Sequence, residues 1–250
     1  MQIHALWCHP RSVSTAFERI MRERGDLDVL HEPFMYHHYL THPDGLFTGF
    51  SPDPAHPRDY AAIRAMILQR SQSGPVFFKD MAYYIGADLP ADPDFADAMT
   101  HAFLVRDPAE SILSYYGREQ GFSCREVGLT AQLALYEALR GRGHDPVVLT
   151  ADQLRADPEA TLRRYWQRIG LYFAAHAFCW KKAVPAAWQS VAHWHEKAAL
   201  SQGIEAAEAT RDSRDALARL GAPYTGYESH HRPAYERLLH IAQAQARAAG

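Results

Sequence analysis

With 250 residues, a formal net charge of −3 and 47% hydrophobic residues, the chain can bury a core without disulfide or metal staples, and it carries no basic excess suited to nucleic acid or to a polybasic membrane anchor. Cys8, Cys124 and Cys179 stand far apart with no CxxC pair, and no apolar run approaches the ~20 residues of a membrane span. No charged n-region leads into an apolar h-region at the N-terminus, so the expectation is a cytoplasmic chain with reduced thiols and no secretory leader.

The elements alternate along the chain. "IHALWC" reads as a first strand and "STAFERIMRER" as the helix after it. "DVLHEPF" is a second strand. Residues 35–57, rich in Pro, His and aromatics and without a clean period, read either as a lid or substrate loop or as a plain excursion. "RDYAAIRAMILQRS" is helical, and "VFFKDM" and "HAFLVR" are further strands. In "RDPAES", Asp107 is placed to cap a helix with Pro108 at its first position and Glu110 at its third. "LTAQLALYEALRG", the strand "PVVLT" and a helix opened by Asp157–Pro158 and stopped at Gly170 follow. Residues 172–250 read as an irregular helical cap on the same domain, ending in "PAYERLLHIAQAQARA". Short, continuously apolar strands separated by helices predict one α/β domain over 1–250, a three-layer sandwich on a central, mainly parallel sheet of about five strands.

Chemistry concentrates in two stretches. In "CHPRSVSTAF", Arg11 sits among Ser12, Ser14 and Thr15 in the turn from the first strand to the first helix. Free N–H groups, the helix dipole, a guanidinium and hydroxyl donors together make an anion trap. The alternative is a simple capping box from Thr15 to Glu18. The turn contains no Gly, so it is not the GxxxxGK[ST] loop of an NTP-hydrolysing enzyme or a kinase. In "FLVRDPAESILSYYGRE", Arg106 closes a strand, Ser114 follows eight positions later, and Ser111 shares its helix face. The 15 histidines include the pairs His37–His38 and His230–His231, but without HExxH or Cys/His pairs at ligand spacing no metal is expected.

"PRSVSTAF" resembles the 5′-phosphosulfate loop of sulfotransferases that use 3′-phosphoadenosine-5′-phosphosulfate (PAPS), and "FLVRDPAESILSYY" resembles their 3′-phosphate motif. "DPVVLTADQLRADPEATLRRYWQRIGL" resembles a later strand and helix, so the likeness runs in order over residues 3–171 and loosens beyond. The resemblance implies a P-loop-like fold and metal-free transfer of a sulfuryl group from PAPS to a hydroxyl of a small-molecule acceptor, leaving adenosine 3′,5′-bisphosphate. It implies that Arg11, Ser12, Val13, Ser14 and Thr15 bind the phosphosulfate, and that Arg106 and Ser114 hold the 3′-phosphate. The family usually carries Lys where Arg11 stands and often Gly where Val13 stands. Its C-terminal basic pair and Gly have no clear match here; Ser201, Gly203 and Lys197 are the nearest residues.

Many small-molecule members place a catalytic His two residues after a Lys on the third strand. Here Lys79 is present, but that position is Met81. Glu32 in "VLHEPFMYHH" is the preferred replacement base, with His31 and Asp80 as alternatives and Lys79 neutralising the leaving oxygen. Phe34, Tyr36, Tyr39, Tyr83, Tyr84, Trp188 and Trp194 are candidate acceptor-pocket walls. A P-loop small-molecule kinase and a nucleotide-binding module without catalysis remain as rivals, and the oligomeric state is not readable.

Overall fold

The computed structural model describes residues 2–41, 50–204 and 213–248, apart from the side chains of 196 and 197. The strands are β1 (Ile3–Cys8), β2 (Asp28–His31), β3 (Val76–Met81), β4 (Met99–Val105) and β5 (Val147–Thr150). They form one parallel sheet in the order β2-β3-β1-β4-β5, with β1 at the centre. Every residue of β1 and β3 is buried, because helices cover both faces, and this is why these strands read as unbroken apolar runs.

Alternation divides the two faces. Phe77 and Lys79 face α1 (Ser14–Glu23), where Phe17 packs against Phe77 and Tyr165 with ring centroids 6.1 and 5.2 Å away. Tyr165 belongs to the helix Pro158–Arg168, whose Trp166 donates its indole N–H to Met21 Sδ at 3.1 Å. On the other face Phe103 meets Tyr136 of the helix Leu129–Gly141, and the long helix Tyr224–Ala248 packs on that helix and on β5. The result is the P-loop-like α/β sandwich expected from the sequence.

Several local signals act as read. Asp107 and Asp157 accept from the N–H groups of Ala109 and Ala160, each at 2.8 Å, and Gly170 takes a left-handed φ of 78°. Others do not. The Thr15–Glu18 capping box is absent: Val13 is the N-cap of α1, and Glu18 turns inward. Glu110 binds Arg106 instead of completing a box. Strand β2 ends at His31, because Glu32 swings into a left-handed conformation with φ 43°. Residues 35–41 of the expected irregular stretch form a helix, α2, with Met35, Tyr36 and His38 buried; residues 42–49 lie outside the described residues. After residue 171 come two 3₁₀ turns and the helices Ala192–Leu200, Ser213–Leu220 and Tyr224–Ala248. Among the described residues no helix is long and apolar enough to cross a membrane.

Phe17 is fully buried at the joint of α1, β3 and the helix Pro158–Arg168. Truncating such a ring removes its transfer energy and leaves a cavity, so Phe17→Ala is expected to lower unfolding stability by about 3–5 kcal/mol in a urea titration.

Candidate active site

All five strands end at one edge of the sheet, and the turns leaving them line a cavity of about 580 Å³. This is where an open parallel sheet binds ligands, at the point where neighbouring strands send their connections in opposite directions, here between β1, which leads to β2, and β4, which leads to β5.

The turn after β1 bends through two left-handed residues, Arg11 (φ 64°) and Val13 (φ 71°). The Gly expected at position 13 would adopt that backbone freely; Val13 holds it under strain. The turn delivers Ser14, Thr15 and Ala16, in the first turn of α1, to the cavity. Their N–H groups have no intrahelical acceptors and lie at the positive end of the helix dipole. Ser12 is fully buried, does not line the cavity, and its hydroxyl has no partner among the described residues.

Three guanidiniums line the same end: Arg11, Arg106 and Arg155. Arg11 Nε donates to Ser114 Oγ at 3.0 Å, and Arg106 Nη1 donates to the Arg11 carbonyl at 2.8 Å. The two sequence clusters therefore touch directly. Glu110 accepts from Arg106 Nε at 2.9 Å and faces Arg155 Nη1 at 3.6 Å. Burial, then the charges of Arg118 and Arg106, pull the pKa of Arg11 down to about 10. Ser111 is different: it is buried and donates to the Pro108 carbonyl.

On the cavity wall Lys79, fully buried, forms an ion pair with Glu32, whose other oxygen accepts from the Tyr84 hydroxyl at 3.4 Å. Glu32 pairs with neither Arg11 nor Arg106. Asp80 points to the opposite face of the sheet and accepts the Phe34 N–H at 2.8 Å, so it is no candidate base. His31 is buried behind the lining, with Nδ1 2.5 Å from Glu18 and Nε2 3.8 Å from Glu32. Its Nε2 also lies 3.0 Å from His195 Nε2, and His195 Nδ1 lies 3.2 Å from Thr15 Oγ1. Burial opposes ionisation of Glu18, but His31, Lys79 and Arg22 hold its carboxyl well below the usual carboxylate range.

Tyr39, Tyr83, Tyr84 and Trp194 form the expected aromatic wall, joined by Met81 and Tyr115. Burial raises the pKa of Tyr39 and of Tyr83, so both phenols stay neutral. Phe34, Tyr36 and Trp188 are not in that wall: Phe34 packs on Tyr60 and Phe78, Tyr36 on Phe50 and His56, and Trp188 donates to Glu18 at 2.8 Å. Ser201 and Gly203 do line the cavity, while the Lys197 side chain lies outside the described residues.

Glu18, Arg155 and His195 were missed in the sequence. Arg155 had a signal, a cation five residues past the end of β5 at the same sheet edge. His195 had none, because it lies beyond the resembling stretch. His31, Glu32 and His195 come within 4.8 Å of one another, but the cation held by Glu32 is the Lys79 ammonium, and we read the cluster as a hydrogen-bonded chain.

A family profile described as "Sulfotransferase domain" matches residues 1–230. The chain is 26% identical over 216 residues to the Arabidopsis thaliana "Branched-chain-amino-acid aminotransferase-like protein 2", covering 81% of this chain and 36% of that protein, so it spans about a third of that relative's length. The structure is similar to a sulfotransferase from Alicyclobacillus acidocaldarius (15% identity, 79% and 96% of the two chains, TM-score 0.48). It is also similar to a mouse sulfotransferase complexed with PAP (9% identity, 99% and 86%, TM-score 0.43).

Burial, with the charge of Glu32 behind it, raises the Asp80 carboxyl well above its ordinary pKa. The unfolded chain therefore loses this proton first, near pH ~3.9, and Asp80 takes stability away as pH rises from there towards its folded pKa. Asp80→Asn cannot ionise. Its stability relative to wild type is expected to climb between pH 4 and pH 7, by ~1.4 kcal/mol for each unit separating the two pKa values, as read from urea unfolding at both pH values.

Proposed function

The chain belongs to the sulfotransferase family, and from that premise we propose that it moves a sulfuryl group from PAPS to a hydroxyl of a small-molecule acceptor. One observation carries this reading: the phosphosulfate-like turn and the 3′-phosphate-like motif meet through the Arg11–Ser114 hydrogen bond and the Arg106 bond to the Arg11 carbonyl, on the wall of one cavity. Arg11, Ser14, Thr15 and the first N–H groups of α1 receive the phosphosulfate, with Ser12 and Val13 shaping the turn. Arg106, Ser114 and Arg155 surround the 3′-phosphate.

The aromatic end holds the acceptor. Its hydroxyl proton passes to Glu32 while the sulfuryl group leaves the phosphate oxygen for the acceptor oxygen. Lys79, paired to Glu32, supplies the positive charge that the leaving oxygen needs. His31 does not reach the cavity and acts from behind as a positioning residue. Met81 lines the cavity but has no proton to exchange, and Asp80 points to the opposite face, which leaves Glu32 as the base in this reading.

Titration with adenosine 3′,5′-bisphosphate and separately with ATP·Mg²⁺ tests the donor. Preference for ATP·Mg²⁺ rejects the proposal, and bisphosphate binding without transfer across a hydroxyl-compound panel reduces the protein to a binding module.

Arg106→Ala removes a charged fork from the 3′-phosphate. It is expected to cut the preference for the 3′-phosphorylated nucleotide over its 3′-hydroxyl analogue by roughly tenfold or more, the value of a charged hydrogen bond at about 1.5–3 kcal/mol. Calorimetry with both nucleotides checks this, and undiminished discrimination removes Arg106 from that subsite.

Glu32→Gln keeps the volume and loses the base. Bisphosphate affinity is expected to stay within about threefold, while single-turnover transfer falls on the order of 10²–10⁴. Near wild-type turnover would place the base elsewhere.

A further inference from the structure

Running inward from the cavity wall, Thr15, His195, His31 and Glu18 form one continuous chain of contacts: Glu18 Oε2 to His31 Nδ1 at 2.5 Å, His31 Nε2 to His195 Nε2 at 3.0 Å, and His195 Nδ1 to Thr15 Oγ1 at 3.2 Å, with His195 and Thr15 on the wall itself. Its inner end is anchored by Arg22 Nη2 and the Trp188 indole N–H, each 2.8 Å from Glu18 Oε1. Its outer end is a hydroxyl of the turn that lines the cavity.

Counting protons along the chain leaves two arrangements. The Glu18 contact requires a proton on His31 Nδ1, because a carboxylate only accepts. If His31 is neutral, its Nε2 is an acceptor, so His195 Nε2–H donates to it. His195 Nδ1 is then a lone pair and takes the Thr15 hydroxyl proton. Thr15 is left showing lone pairs to the cavity, which repel an anion. If His31 carries a second proton on Nε2, the Glu18 bond stays as it is and the two bonds beyond it reverse. His195 accepts at Nε2 and donates from Nδ1 to Thr15, and the Thr15 hydroxyl proton is free to point into the cavity.

We infer that anion binding at the first turn is coupled to uptake of a proton by the His31–His195 pair, with His195 as the positioning residue that turns the Thr15 hydroxyl towards the anion. The inference rests on assigning that turn to the donor's phosphosulfate. The proton arrives from solvent at His195 Nδ1, while the proton on His195 Nε2 moves to His31 Nε2. One N–H bond forms at each ring, one breaks at His195, and the new positive charge rests on His31 against Glu18.

The surroundings support this direction of travel. His31 faces the carboxylates of Glu18 and Glu32, with Lys79 and Arg22 opposing them. Once His31 carries the proton, burial, then the charge of His31, then that of Lys79, pull the pKa of His195 well below its ordinary value, with Glu18 opposing and Arg11 adding to the pull. His195 therefore passes the proton on instead of storing it.

The test is calorimetry near pH 7.5 in buffers of different ionisation enthalpy, with inorganic sulfate and adenosine 3′,5′-bisphosphate as separate probes. Sulfate does not titrate at this pH, so its buffer dependence belongs to the protein. Wild type is expected to take up as much as about one proton per sulfate, and its affinity to rise by up to about tenfold per unit fall in pH. Thr15→Val keeps both histidines and nearly the same volume, and should lose at least about half of that uptake. His195→Phe should lose it as well; if His195→Phe does not fold, Thr15→Val decides alone. Equal uptake by wild type and Thr15→Val overturns the coupling, and bisphosphate binding alongside that result leaves the donor assignment standing. Sulfate-linked uptake with no bisphosphate binding keeps the coupling and rejects the donor. Silence with both probes overturns both.

Discussion

The buried ammonium of Lys79 sets the terms for the site. A lone charge removed from water is expensive, so a fully buried Lys must have a counter-charge within reach. Lys79 is the last-but-two residue of β3, and its neighbour in register on β2 is His31. The carboxylate that answers it belongs to the next residue, Glu32, which on a continued strand would point to the opposite face. Glu32 instead turns back through a left-handed backbone and meets Lys79. Backbone strain on the order of 1–3 kcal/mol there is smaller than the several kcal/mol lost by leaving the ammonium unpaired. That turn shortens β2, starts α2 close behind it, and brings Tyr39 to the cavity wall.

Charge is layered along the cavity as a consequence. The pair of Lys79 with Glu32 is close to neutral, while the end bounded by α1 holds Arg11, Arg106 and Arg155, with the carboxylates of Glu110 and Asp152 acting on Arg155. An anion at that end meets net positive charge and the dipole of α1. Tyr39, Tyr83, Tyr84 and Met81 line the same cavity, and the Tyr84 hydroxyl reaches Glu32. The strained residues follow the same plan: among the described residues Arg11, Val13 and Glu32 are the non-glycine residues with positive φ, and all three line the cavity.

The strands were legible because burial on both faces leaves a pattern that no other element here imitates, as in "IHALWC" and "VFFKDM". Arg106 and Ser114 were legible as a pair because a strand end and one helix face fix their spacing. Side-chain direction was harder to read. Ser111 lies three residues from Ser114 on the same helix, yet it donates to the Pro108 carbonyl while Ser114 receives Arg11. Glu18 read as half of a capping box, whereas the positive φ at Val13 moved the helix cap upstream and freed Glu18 to reach His31. His195 could not be found at all, since only the folded chain brings Ala192–Leu200 against α1.

The two departures of the first turn from its family's pattern are connected through geometry. A Lys in place of Arg11 would offer one ammonium, which could serve the phosphosulfate or Ser114 but would have to divide itself between them. The guanidinium separates these tasks: Nε holds Ser114 at 3.0 Å and the rest of the fork faces the cavity. With Arg11 anchored to the helix Pro108–Tyr116, and its carbonyl held by Arg106 at 2.8 Å, the turn is clamped from both sides. A clamped turn has less need of a glycine's freedom, since the same bonds that fix Arg11 can hold Val13 at φ 71°. Val13, half-buried against the core, then returns packing energy that Gly would lack. The fork at 11 and the branched residue at 13 are thus one solution, and exchanging either alone for its family counterpart loosens the turn between β1 and α1.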